Sequence, residues 1–92
     1  MAKTKHDSKV KQTANKLKRE GWKVKADISG FEQPDPIGEG NYIPDVAAKK
    51  GGATKLIEIA DEKDEARDKD QHSAFRRSAA HKKRTTFEIK KP

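Results

Sequence analysis

Gly51 and Gly52 stand between two short apolar runs, Tyr42 to Lys49 and Thr54 to Ala60. A Gly-Gly pair readily takes the positive φ angles of a primed two-residue turn, so the spacing predicts a β-hairpin whose register can be counted outward from the turn. Lys50 then pairs with Ala53, Ala47 with Leu56 and Asp45 with Glu58. Pro44 with Ile59 and Val46 with Ile57 fill the other face, which fits burial against a helix. Directly opposed acids have Cβ atoms roughly 5 Å apart and repel one another, so the pair needs compensation. A shared cation is one account of it. Ion pairing with Lys49, Lys63 or Arg76, or one acid turned to solvent, is the other.

The remaining chain supplies elements to pack on such a hairpin. From about Ser8 to Glu20, Val10, Ala14, Leu17 and Gly21 recur at helical spacing with lysines around the rest of the wheel, and Thr4, Asp7 or Ser8 can cap the start. "WKVKADIS", Trp22 to Ser29, alternates apolar and polar residues as a half-buried strand does. "GFEQPDPIGEGN", residues 30–41, reads as a long acidic loop. Asp61 to Asp70 is dense in charge and breaks the apolar pattern. Ala74, Phe75, Ser78 and Ala79 outline a second helix, with Gln71 one turn before Phe75, and "TTFEIKK" closes the chain as a strand. The expected architecture is α/β: a mixed four-stranded sheet flanked by two helices in the order α-β-β-β-α-β, the last strand returning parallel. Residues 1–92 make one small domain, with residues 1–7 expected to be flexible.

Hydrophobic residues are 30% of the chain and charged residues 40%, so the core is thin. There is no cysteine, hence no disulfide or thiolate chemistry, and the three histidines are not spaced as a zinc site. "MAKTKHDSK" lacks the apolar stretch of a signal peptide and no run is long enough to span a bilayer; a soluble, cytoplasmic protein with no membrane partner is expected. Net charge is +7, and Met1 to Lys25 carries nine Lys/Arg against Asp7 and Glu20, so the rest is neutral overall. A basic segment beside a neutral body suits a polyanion, and equally suits a solvated helix face.

"IPDVAAKKGGATKLIEIA" resembles the signature of the PD-(D/E)XK nuclease superfamily, the restriction-endonuclease-like and Holliday-junction-resolvase-like proteins. In that family Pro-Asp opens one strand and an acidic-x-Lys triplet lies on the next. Pro44-Asp45 matches the first half, and Glu58-Ile59-Ala60 matches the second except at its last position. The element order resembles the family's core over nearly the whole chain. The resemblance implies a restriction-endonuclease-like fold and metal-dependent hydrolysis of nucleic-acid phosphodiesters, DNA foremost. It also implies Mg²⁺ or Mn²⁺ as cofactor, held by Asp45, Glu58 and the Ile59 carbonyl. The family's lysine positions or activates the attacking water and steadies the phosphorane-like transition state, and Ala60 stands in its place. Lys49, Lys63 and Gln71 are the candidate substitutes, Gln71 having the best helical phase, so the expected catalytic set is Asp45, Glu58 and Gln71. Some relatives carry an acid on the first helix, where this chain offers Gln12, Asn15 and, at its end, Glu20.

Nucleic acid would be tracked by Lys9, Lys11, Lys16, Lys18 and Arg19 on the first helix and by Arg76, Arg77, Lys82, Lys83 and Arg84 on or after the second. Nucleases of this type often dimerise to address two strands, so a homodimer is among the expected partners. Two other functions fit the same residues: a nuclease-fold module that binds nucleic acid without cutting it, and a small basic structural protein.

Overall fold

The computed structural model describes residues 4–92. Its elements are α1 (Thr4–Arg19), β1 (Lys23–Ala26), β2 (Val46–Lys50), β3 (Ala53–Ile59), α2 (Glu62–Arg67), α3 (Lys69–His81) and β4 (Thr85–Lys90). The strands form one mixed sheet in the order β1-β2-β3-β4, antiparallel except for the parallel pair β3 and β4.

The hairpin forms as the glycines dictate. Gly51 and Gly52 have φ of 55° and 86°, both in the left-handed region of a primed turn. Lys50 pairs with Ala53, Ala47 with Leu56 and Val46 with Ile57. Cross-strand partners share a face, so Ala26, Val46, Ala48, Ile57 and Ile59 lie on one side of the sheet, where they pack with Val10, Ala14 and Leu17 of α1. The opposite side carries Leu56 and Phe87, and α3 covers it there through Phe75, whose ring centroid is 5.6 Å from that of Phe87. Ala14, Ala26, Ala48 and Ala60 are among the buried residues, which lets layers approach closely but contributes little apolar area.

Four elements differ from expectation. Strand β2 begins at Val46 rather than Tyr42, because Tyr42 pairs with Ile37 in an isolated bridge within the preceding loop. Helix α1 is in place from Thr4, a turn before Ser8, so residues 4–7 are helical where flexibility was expected; residues 1–3 lie outside the described residues. It ends as the sequence implies: Gly21 at φ 94° closes a Schellman motif, with Trp22 N–H donating to the Leu17 carbonyl and Gly21 N–H to that of Lys18. Strand β1 stops at Ala26 rather than Ser29, because Gly30 at φ 94° and the Phe31 N–H bond to the Ile28 carbonyl turn the chain back. The charged stretch after Ala60 contains an additional helix, α2, making the order α-β-β-β-α-α-β. It buries no residue and is held by a capping box, in which Asp64 N–H donates to Asp61 Oδ1 at 2.9 Å and Asp61 N–H to Asp64 Oδ2 at 3.2 Å. An Asp64–Arg67 ion pair and a Lys91–Glu65 contact of 2.7 Å add to it. Amphipathic periodicity cannot reveal a helix of that kind.

Among the described residues no helix is long and apolar enough to cross a membrane.

Candidate functional site

Asp45 directly precedes β2, and Glu58 is the penultimate residue of β3. The ladder changes character between them. Strand parity makes buried Pro44 the partner of Ile59, and proline has no N–H to offer the Ile59 carbonyl. The Ile59 N–H donates instead to Asp45 Oδ2 at 2.9 Å, while the Asp45 N–H donates to Glu58 Oε1 at 2.9 Å. Each acid thus accepts a backbone N–H from the other strand, and the reciprocal pair of bonds locks the carboxylates together at the end of the hairpin. The Asp45 carbonyl accepts from Asp27 N–H at 2.9 Å, tying the same point to the chain after β1.

Helix α3 completes the surroundings. Phe75 is 0% exposed and fixes the helix phase, so the residues one turn earlier face the acids. Gln71 Nε2 donates to Glu58 Oε2 at 3.1 Å. His72, 2% exposed, places Nε2 3.5 Å from the same oxygen and has no hydrogen bond there. From the start of α1, His6 Nε2 reaches Asp45 Oδ2 at 3.2 Å, with its Nδ1 3.3 Å from Asp7 Oδ1. Among the described residues neither acid pairs with Lys49, Lys63 or Arg76; imidazoles, an amide and backbone N–H groups compensate them.

That compensation is incomplete. Glu58 is 4% exposed, and burial together with the nearby Asp45 charge raises its pKa from 4.5 to about 8, against the opposing hydrogen bonds from Asp45 N–H and Gln71. Burial also raises the Asp45 pKa, although the Ile59 N–H and His6 pull it down. For His6 burial opposes the charge, but Asp45 and Asp7 outweigh it and the pKa rises. The site is therefore short of positive charge, and a cation has an electrostatic reason to enter.

The donor set suits one kind of cation. No cluster of three or more His, Cys, Asp or Glu among the described residues is arranged to hold a metal. Mg²⁺, however, is commonly held by one or two carboxylates with water completing its shell. Asp45, Glu58 and the Ile59 carbonyl left without a proline donor fit that requirement. Ala60 is 2% exposed with only a methyl side chain, so the third position of the motif brings no charge.

The structure thus brings Asp45, Glu58, Ile59 and Gln71 together. His6 and His72 belong to the same site and were missed: His72 has the helical phase of Gln71, three residues before Phe75, whereas His6 falls in the segment expected to be flexible. The basic residues are not gathered in one place. Lys11, Lys16, Lys18 and Arg19 are exposed and Lys9 half-buried on α1, on one side of the sheet. Arg76, Arg77, Lys82, Lys83 and Arg84 are exposed on or after α3, which covers the other side, and the Arg76 guanidinium lies 5.5 Å from the Phe87 ring. Comparison of the chain with protein-family models, with curated proteins and with solved structures finds no match.

Proposed function

We propose that the chain is a metal-dependent nuclease with a restriction-endonuclease-like core, acting inside the cell on nucleic-acid phosphodiesters, DNA foremost. The observation that carries this reading is the reciprocal bonding of Asp45 and Glu58 across the hairpin end, with Gln71 on Glu58. Asp45, Glu58 and the Ile59 carbonyl would hold Mg²⁺ or Mn²⁺, which when bound supplies an activated water and neutralises phosphate charge. Gln71 holds Glu58 in orientation through its amide. His6, with 31% of its side chain exposed, is the group best placed to replace the missing lysine. Its raised pKa favours the imidazolium, which lends positive charge beside Asp45, as an ammonium would.

Cleavage of plasmid, branched DNA and RNA in Mg²⁺ or Mn²⁺ tests the proposal. Wild type is expected to cut and to stop in EDTA, with Asp45→Asn reducing the rate by about 100-fold or more. Asparagine still accepts the Ile59 N–H through its Oδ1, so the variant tests charge rather than folding. Equal cutting by the two proteins refutes the proposal. A second prediction concerns His6→Ala, expected to slow cutting about tenfold and to flatten the pH–rate profile near neutrality; an unchanged profile removes His6 from the mechanism. Ala60 favours one other reading, a nucleic-acid-binding module without hydrolysis, which predicts EDTA-insensitive binding and no cutting by any variant.

A further inference from the structure

The pairing of β1 with β2 sets Lys23 directly opposite Lys49. Opposed like charges on one sheet face destabilise it, and neither lysine forms an ion pair among the described residues. Lys25 is next along the same face and is already engaged, its Nζ 3.5 Å from both Glu32 and Asp35 of the long loop. Helix α3 packs mainly on β4, and over this part of the sheet lie that loop and Lys82. Between them and the sheet is a cavity of about 350 Å³ lined by Lys23, Lys25, Lys49 and Lys82 and by Glu32 and Asp35, with Ala47 and Leu56 among its walls. Four lysines against two acids leave it a surplus of positive charge.

We propose that this cleft binds the phosphate backbone of the nucleic-acid substrate, with Lys23 and Lys49 as its principal contacts; the proposal rests on Asp45 and Glu58 being the hydrolytic centre. Residues 45, 47 and 49 alternate onto one face of β2, so Lys49 lies roughly 13 Å from Asp45 at the usual strand rise. A strand of nucleic acid entering the cleft therefore runs along β2 toward the carboxylates. Each phosphate neutralised there releases condensed counterions and relieves the Lys23–Lys49 repulsion. Glu32 and Asp35, both exposed, compete with phosphate for Lys25. Lys5 on α1 and Lys69 at the start of α3 are exposed and line no part of this cleft; they are the control.

The test is fluorescence anisotropy of labelled DNA and RNA oligonucleotides with the full chain in EDTA, across a salt series. Lys23→Ala with Lys49→Ala is expected to weaken binding about tenfold or more and to lower the salt slope by about two. The same double variant should melt at a higher temperature than wild type, which separates lost binding from lost folding. Lys5→Ala with Lys69→Ala should leave the slope close to that of wild type, and Glu32→Gln with Asp35→Asn should tighten binding. Wild-type affinity in the Lys23/Lys49 variant, loss of binding only in the Lys5/Lys69 variant, or no binding by wild type overturns the proposal. Cutting in Mn²⁺ is read separately: cutting that survives with Lys23/Lys49-independent binding refutes the cleft and leaves the nuclease. Lysine-dependent binding without cutting does the reverse.

Discussion

Glu58→Gln is expected to raise stability at and above neutral pH and to remove most of its pH dependence in EDTA. The folded-state pKa of Glu58 is about 8 against an ordinary 4.5, so between those values the folded protein holds a proton that the unfolded chain has released. Stability from this group is complete below pH 4.5 and is lost as pH rises through about 8. A shift of this size corresponds to on the order of 5 kcal/mol, a large share of what a small domain possesses. Asp45 and His6, whose pKa values are also raised, act with the same sign. Glutamine keeps an acceptor for the Asp45 N–H without a charge to bury. Thermal and urea denaturation from about pH 5 to about pH 9 measures the effect. Parallel curves for wild type and variant would show that Glu58 is not strained by its surroundings. Mn²⁺ should restore the wild type most at the alkaline end, because its ligands must be deprotonated to bind.

Phe75→Ala is expected to cost about 3–5 kcal/mol, the usual range for emptying an aromatic core site. Phe75 packs on Phe87 at 5.6 Å and meets Tyr42 edge-on at 6.5 Å, so one ring joins α3, β4 and the long loop. The same ring sets the phase that aims Gln71 and His72 at Glu58, and cutting should fall with stability. Phe75→Leu keeps most of the volume and is expected to lose far less of both. A cost below about 1 kcal/mol for the alanine variant, by urea denaturation, would mean that other contacts hold α3 in place.

The parts of the site legible from sequence were those governed by local periodicity. A two-residue glycine turn fixes the alternation on both sides of it, so the opposition of Asp45 and Glu58 followed by counting, and Gln71 followed from its turn-earlier position relative to Phe75. What escaped depends on contacts that periodicity does not encode. Helix α2 is held by caps and ion pairs and so carries no apolar stripe. His6 becomes part of the site only because α1 extends to Thr4 and reaches Asp45 across the fold. The Lys23–Lys49 pair joins strands separated by the long loop, where no turn sets the register. Ala60 was legible as a departure from the nuclease pattern, but the imidazoles flanking the acids were not.

The excursion between β1 and β2 leaves and returns at one point, since the Asp27 N–H donates to the Asp45 carbonyl. Its ends are tied by that backbone bond, while Phe31 packs against the core and Tyr42 against Phe75. Replacing the residues between Phe31 and Tyr42 should therefore alter what approaches the carboxylates while leaving their mutual spacing intact, which makes this stretch the natural place to re-engineer selectivity.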